Sequence, residues 1–173
     1  MFSGQLPHYL EPRKQAMQGG EISGQTTVSA LPRLAEFRQS QDSPVTVELR
    51  FDRDQDGRYL VRGTIDTRLH LACQRCLDPV ECEVSAQVEL ALVWSEEQIA
   101  SLPERYDPWL MSDDKLVLAD MLEEELLLAL PLAPVHDVCP APLPTPEADK
   151  AEAQGKADNP FAVLAELKKN GRQ

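Results

Sequence analysis

Strict alternation of apolar and polar residues constrains this chain more than any other feature of its sequence. Apolar residues occupy every second position over much of three successive segments, 45–51, 59–71 and 80–94. Side chains repeat every second residue on one face of a β-strand, so the pattern predicts three strands. The short connections at 52–57 and 73–79 predict that these strands form an antiparallel meander with one buried face.

Helical signals precede the meander. In an N-terminal arm over 6–20, Pro12 suits a first helical turn and Gly19 suits the position after a helix end, so a short helix is expected. A short strand over 20–27 should follow. Ser29 is a suitable N-cap for a second helix that runs to about residue 39.

Further helices are expected after the meander. Ser95 and Gln98 have the spacing of a capping box, which predicts a short helix. Apolar residues at helical spacing between Leu118 and Ala129 predict a helix over 116–130 that Pro131 ends. The predicted fold class is therefore α+β: an antiparallel β-meander or partial barrel covered by a few helices.

The sequence predicts three parts. Residues 1–139 should form the α+β domain, and the Pro/Ala-rich stretch 140–158 has almost nothing to bury, which predicts a disordered linker. Residues 159–173 have Asn159 as an N-cap, Pro160 at the first helical position and an apolar stripe. This design predicts a short helix that docks either on this chain or on a partner. Its docking residues should be Phe161, Leu164, Ala165 and Lys168.

The charge of the chain is unevenly distributed. The 17 basic and 29 acidic residues give a net charge of −12, whereas residues 1–75 carry 10 basic against 9 acidic residues. So acidic a chain is not expected to coat nucleic acid non-specifically, because such binding depends on neutralising phosphates. A local basic face in the first half, or a basic partner such as a ribosomal protein, remains compatible with this distribution.

Neither a run of 18 apolar residues nor a secretory leader is visible. We therefore expect no membrane contact, a cytoplasmic location and reduced thiols.

Four residues form a candidate zinc site. Cys73 and Cys76 lie two residues apart in the predicted hairpin turn, the spacing of a zinc knuckle. His136 and Cys139, after the long helix, are the best candidates to complete a Cys₃His set. A reduced pair that only packs the turn, and a CxxC thiol redox pair, are the alternatives. Cys82 is expected to be a small core residue.

A second candidate site is an arginine-rich outer face of the meander. Arginines suit bidentate phosphate contacts, so this face is a candidate for binding RNA. The alternative is cross-strand ion pairing with Glu81, Glu83 and Glu89, and, if Phe51 faces Tyr59, of Glu48 with Arg62. No aromatic residue interleaves these arginines on the outer face, so base stacking is not expected. The candidate RNA-binding residues are Arg50, Arg58, Arg62, Arg68, His70 and Arg75.

Signals of catalysis are weak. The acidic stretch 52–57 resembles a calcium loop but lacks the glutamate that such a loop needs at its twelfth position, where Gly63 stands, so a hairpin turn is expected instead. Glu123, Glu124 and Glu125 should form a solvated helix face. His136 has no serine placed as a nucleophile, and no Gly-rich phosphate loop exists. We therefore expect neither an enzyme nor a small-molecule substrate.

Four segments together resemble the YceD family, the large ribosomal RNA subunit accumulation proteins of bacteria. The segments are Leu6-Pro7 with Glu11-Pro12, the Cys73/Cys76 pair, LPLAPVHD at 130–137, and NPFAVLAELK at 159–168. The resemblance spans nearly the whole chain. It implies a cytoplasmic, non-enzymatic factor needed for large-subunit ribosomal RNA to accumulate, with a metal-binding or nucleic-acid-binding role.

These observations lead to one expected function and two alternatives. The chain is expected to be a ribosome-biogenesis factor that binds large-subunit ribosomal RNA or its precursor, a large-subunit ribosomal protein, or both. The first alternative is an acidic, chaperone-like binder of a basic ribosomal protein without RNA contact. The second is a CxxC thiol redox protein. Zinc is the one cofactor expected.

Overall fold

The computed structural model describes residues 2–37 and 42–139. The predicted linker at 140–158 and the predicted docking helix at 159–173, with Phe161, Leu164, Ala165 and Lys168, lie outside the described residues.

Helices and strands of the described residues confirm the predicted α+β class. The elements in chain order are β1 (Phe2–Gln5), β2 (Tyr9–Leu10), α1 (Pro12–Gln18), β3 (Glu21–Thr27), a 3₁₀ turn (Val28–Ala30), α2 (Pro32–Ala35), β4 (Pro44–Arg53), β5 (Tyr59–Ala72), β6 (Pro79–Val93), α3 (Glu96–Ala100), β7 (Asp107–Leu110), β8 (Leu116–Val117) and α4 (Leu118–Leu128).

One open sheet dominates the fold. Its six strands lie in the order β1-β3-β4-β5-β6-β7, and the short strands β2 and β8 form a separate pair. The strands from β3 to β6 are antiparallel, whereas β1 and β7 add parallel strands at the two edges. The predicted meander is therefore the centre of a larger mixed sheet, which does not close into a barrel.

The register between β4 and β5 differs from the expected one. Phe51 lies opposite Val61, not Tyr59, and Arg62 lies opposite Arg50, not Glu48. The β4–β5 connection sets this register, because Gly57 takes a φ of +81° there and its N–H donates to the Asp54 carbonyl at 3.0 Å. The shift is two residues, so each side chain stays on its predicted face.

The inward face of the meander forms the core with the helices. Val47, Ile65 and Val88 from the three strands are buried in one cluster with Leu122 and Leu126 of α4. The predicted apolar stripe of α4 is thus confirmed, although the helix begins at Leu118 because the two preceding residues pair with β2. Cys82 is half-buried against this core, as expected. None of the described helices is long and apolar enough to cross a membrane.

The helix expected from Ser29 is shorter than predicted. A 3₁₀ turn comes first, and α2 starts only at Pro32 and ends at Ala35. Its N-terminus is capped from α4: the Arg33 N–H donates to Glu123 Oε1 at 2.7 Å. Glu123 is only 4% exposed, so the solvated helix face expected at 123–125 is wrong for this residue. A buried carboxylate needs such partners, and this one satisfies an otherwise unpaired backbone donor.

The capping box expected at Ser95 forms only in part. Ser95 is the N-cap of α3, but the Gln98 side chain accepts the N–H of Trp94 at 2.7 Å, one residue earlier than the expected partner.

Candidate metal centre

The turn between β5 and β6 positions two thiols. Cys73 follows the last residue of β5, and its N–H donates to the Asp78 carbonyl at 2.9 Å. The Leu77 N–H donates back to the Cys73 carbonyl at 2.9 Å. Leu77 has a φ of +68°, a value that non-glycine residues rarely adopt. This left-handed residue reverses the chain directly after Cys76, so the turn presents both sulfur atoms on the same side.

The segment 131–139, which follows α4, brings the other two candidate ligands to this turn. The Gln74 N–H donates to the Pro134 carbonyl at 2.8 Å. The Arg75 guanidinium donates through Nη2 to the His136 carbonyl at 3.0 Å. These contacts join residues about 60 positions apart in the chain. They place the His136 ring and the Cys139 thiol against Cys73 and Cys76.

The four ligand atoms fit one tetrahedral ion. The side-chain ligand atoms of Cys73, Cys76, His136 and Cys139 all lie within 4.8 Å of one another. Cys73 Sγ is 3.8 Å from Cys139 Sγ, and Cys76 Sγ is 3.4 Å from His136 Nδ1. Two sulfur atoms bound to one zinc ion at about 2.3 Å lie about 3.8 Å apart in a tetrahedron. These residues could therefore hold a metal ion.

A backbone contact orients the imidazole for binding through Nδ1. His136 Nε2 lies 3.1 Å from the Pro79 carbonyl oxygen, which can only accept a hydrogen bond. The proton of the neutral ring is therefore on Nε2, and the lone pair of Nδ1 points to the thiols. Metal-ligating histidines usually have such a contact on their second nitrogen.

The two thiols of the turn have different acidities. Burial alone would raise the pKa of Cys73, but backbone N–H groups of Cys76 and Arg75 and the contacts with His136 outweigh it and lower that pKa to about 5. Burial and the neighbouring Cys139 and Cys73 thiols raise the pKa of Cys76 to about 11. At neutral pH Cys73 is therefore a thiolate, and Cys76 must release a proton to bind a metal.

Arg75 lies at the thiol cluster and not among the other candidate RNA-binding residues. Its Nε donates to Cys139 Sγ at 2.7 Å, in addition to the contact with the His136 carbonyl. The hydrogen bond with Cys139 and the thiolate charges raise the pKa of the Arg75 guanidinium above its ordinary value. A Cys₃His zinc site carries one net negative charge, which this guanidinium would balance.

The remaining candidate RNA-binding residues mostly lie in ion pairs. Arg58 contacts Asp54 at 2.9 Å and also Asp56. Arg62 contacts Asp52 and Glu89 at 3.0 and 3.3 Å.

Two further pairs have the same form. Arg68 contacts Glu83 at 2.7 Å, and His70 Nε2 lies 3.8 Å from Glu81. Arg50 differs, since it makes no ion pair with any residue that the structure describes.

We define the outer face as the solvent-facing positions of β3 to β6. Seven carboxylates and three arginines lie on it, so the face carries excess negative charge. The carboxylates are those of Glu21, Glu48, Asp52, Asp66, Glu81, Glu83 and Glu89, and the arginines are Arg50, Arg62 and Arg68.

The sequence of the chain is similar to proteins of one described family. The family model described as "Large ribosomal RNA subunit accumulation protein YceD" matches residues 61–168. A Haemophilus influenzae protein with the same description is 32% identical over 167 residues, which cover 94% of this chain and 96% of the relative. This chain therefore belongs to the YceD family. No solved structure matches it.

Proposed function

We propose that this chain is a non-enzymatic factor of the cytoplasm that supports the accumulation of large-subunit ribosomal RNA by binding a component of the assembling subunit. Membership of the YceD family supports the link to this RNA. The open sheet supports a role in binding, because it offers a broad polar surface rather than a buried catalytic constellation.

The bound component is a basic large-subunit ribosomal protein, and the outer face is the surface that binds it. The charge of this face carries the proposal: seven carboxylates exceed three arginines, and two of those arginines already pair with carboxylates of the same face. A face of this sign attracts a basic polypeptide and repels RNA phosphates.

Direct contact with ribosomal RNA is a second candidate function, and Arg50 is the residue that favours it. It lies directly opposite Arg62, so the two arginines occupy neighbouring positions on the outer face. A phosphate bound between them would relieve the repulsion of the like charges. The other candidates for this contact are Arg58, Arg68, His70 and Arg75, of which Arg75 also serves the thiol cluster.

The four-residue cluster is proposed to hold a structural zinc ion. Three thiolates and one imidazole satisfy all four positions of a tetrahedral ion, so no position is left for a substrate. Bound zinc would fasten the segment 131–139 to the β5–β6 turn. This role favours a structural site over the thiol redox alternative, in which the CxxC pair would begin a helix.

A binding assay with paired charge variants tests the proposed function. One variant neutralises exposed outer-face carboxylates that make no ion pair with a described residue: Glu21→Gln, Glu48→Gln and Asp66→Asn. The probes are salt-extracted proteins of purified large subunits and a transcript of the large-subunit ribosomal RNA. We expect this variant to lose protein binding and to keep any RNA binding.

Two controls make the assay decisive. The variant Glu96→Gln, Glu104→Gln, Glu124→Gln has the same charge change away from the outer face, and it should bind like the parent chain. Arg50→Gln should leave protein binding intact. If Arg50→Gln instead weakens RNA binding and lowers the log–log salt slope by about 0.7–0.9, while neutralisation of the outer-face carboxylates leaves protein binding unchanged, RNA contact replaces the protein-binding proposal.

A further inference from the structure

A cavity of about 240 Å³ lies at the end of the β5–β6 ladder opposite to the thiol cluster. It forms where α1, the β4–β5 connection, the end of β6 and α3 meet. Neither the metal-ligand residues nor the outer-face carboxylates line it. Its walls include Arg13, Arg58, Tyr59, Trp94, Gln98 and Leu102.

Two aromatic rings line this cavity, and a guanidinium group lies over each of them. The rings of Tyr59 and Trp94 meet edge to face, with centroids 5.6 Å apart and planes at 81°. The Arg13 guanidinium carbon lies 4.0 Å from the centroid of the Trp94 ring. The Arg53 guanidinium carbon lies 5.1 Å from the Tyr59 ring. Aromatic rings and flat guanidinium groups are the surfaces on which proteins stack the bases of single-stranded RNA.

Hydrogen bonds hold these groups in place without a ligand. Trp94 Nε1 donates to the Asp113 carbonyl at 3.3 Å, and the Trp94 N–H donates to Gln98 Oε1 at 2.7 Å. Arg53 donates through Nε and Nη2 to the Gly57 carbonyl, both at 3.3 Å. A guest would therefore meet a surface whose side chains are already ordered, which lowers the entropic cost of binding.

Charges of both signs lie at the rim, and one arginine is left without an acidic partner. Arg13 pairs with the exposed Asp114 at 3.4 Å, and Arg58 pairs with Asp54 and with Asp56, which also lines the cavity. Arg53 lies beside the cavity, against the Tyr59 ring. Arg53 makes no ion pair with any described residue, so its charge is available to a phosphate. A lysine or arginine side chain of a partner would be repelled by this group.

We propose that the cavity binds one unstacked nucleotide of single-stranded RNA. The base enters against Tyr59 and Trp94, the Gln98 amide lies in the wall as a hydrogen-bonding group, and Arg53 contacts the flanking phosphate. The volume is below the roughly 300–1,000 Å³ of sites for drug-sized ligands, so it admits a base and leaves the sugar and phosphate at the rim. This site is independent of the acidic outer face.

Trp94 itself reports on this binding. The chain has two tryptophans, so a Trp109→Phe chain leaves Trp94 as the single emitter. Titration of this full-length variant with oligouridylate or oligoadenylate should quench its emission to saturation. A duplex RNA of the same length should not, because its bases stay stacked. Emission is corrected with free tryptophan at the same RNA absorbance.

Variants separate stacking from charge. Tyr59→Leu should weaken binding of the single strand about 5- to 140-fold, the range of one base–aromatic contact. Arg53→Gln should lower the log–log salt slope by about 0.7, the value of one contact to a single strand. The matched control is Arg105→Gln, which removes an arginine 4.6 Å from the Tyr106 ring and should leave the affinity unchanged. Circular dichroism verifies that each variant is folded.

Several results would overturn the proposal. The proposal is refuted if single-stranded RNA at millimolar concentration does not quench the Trp94 emission. It is also refuted if duplex RNA or inorganic polyphosphate quenches the emission equally, because the cavity would then recognise charge and not an unstacked base. Quenching by oligolysine and not by RNA would assign the cavity to a basic peptide. If Tyr59→Leu fails to fold, the unchanged salt slope of Arg53→Gln would be sufficient refutation. Binding of ribosomal protein to the outer face is measured separately, so the two proposals can fail independently.

Discussion

Removal of the metal ion should release one segment of the chain and leave the sheet folded. The segment 131–139 contacts the β5–β6 turn close to the candidate ligands. Gln74 donates to Pro134, and Arg75 donates to His136. The core is built from other residues, from Val47 and Ile65 to Leu126. Chelation should therefore act locally, because the interactions that hold the sheet do not pass through the cluster.

The expected magnitude follows from the contacts that are lost. A hydrogen bond of this kind contributes a net of about 0.5–1.5 kcal/mol. Loss of the Gln74 bond to Pro134 should therefore speed exchange of the Gln74 amide about 2- to 10-fold. Amides in the ladder between β5 and β6, such as that of Ile65, should keep their protection.

Hydrogen exchange measured by mass spectrometry, with and without a chelator, provides the assay. Metal analysis of chain purified under reducing conditions should find about one zinc ion per chain, and Cys139→Ser should lower this content. Cys82→Ser is the matched control, because this thiol lies in a strand away from the cluster. Less than about 0.2 zinc ions per folded chain would refute the site. Loss of protection throughout the sheet would refute the local role of the metal.

Four further predictions follow from single contacts. Zinc affinity should rise at least about tenfold per pH unit from pH 6 to 8, measured by competition with a chelator, since the high pKa of Cys76 makes binding release its proton and any proton on the Cys139 thiol is released as well. Arg75→Met should lower zinc affinity about 10- to 100-fold in the same competition, because it removes the donor to Cys139. Glu123→Ala should lower the free energy of unfolding in urea by about 1–3 kcal/mol, whereas the exposed Glu124→Ala should change it by less than about 0.5 kcal/mol. Gly63→Ala should lower it by more than about 1 kcal/mol, since a Cβ there would lie 1.9 Å from the Glu48 carbonyl oxygen.

Local sequence patterns were sufficient to predict β3, the three meander strands and the main helix, whereas the short strands β1, β2, β7 and β8 were not predicted. The alternation of apolar and polar residues indicates directly which face of a strand is buried. Phe51, Ile65 and Val88 are apolar positions of this pattern, and all three are buried. Register is different, because it depends on the conformation of the connection between strands. The φ of Gly57 and the bonds of Asp54 decide it, and neither can be derived from the alternation alone.

Interactions between distant elements could not be predicted in the same way. Glu123 looks like one member of an acidic helix face, and only the packing of α4 against α2 shows that it caps Arg33. Likewise, Tyr59 and Trp94 are 35 positions apart, and nothing in the sequence indicates that Arg13 of α1 covers the Trp94 ring. Such groups meet because three elements end at the same place, which is a property of the tertiary structure.

The thiol cluster lies between these two cases. Its ligand types and the Cys-x-x-Cys spacing are visible in the sequence, which is why Cys73, Cys76, His136 and Cys139 could be proposed together. The groups that orient them were not proposed: the Pro79 carbonyl is a backbone atom without a sequence signal. The charge of Arg75 predicts an RNA contact, but a sequence does not show direction, and the structure places the guanidinium against Cys139.

Two of the segments through which the chain resembles its family meet at this cluster. The Cys73/Cys76 pair supplies one half, and the segment 130–137 supplies His136 together with the Pro134 carbonyl that accepts the Gln74 N–H. The prolines on either side of His136 and Cys139 restrict the backbone of a segment that has no strand or helix of its own, so fewer conformations are lost when it docks. A metal ion bound here would therefore hold the segment 131–139 against the β5–β6 turn, so that these two family segments form a single site.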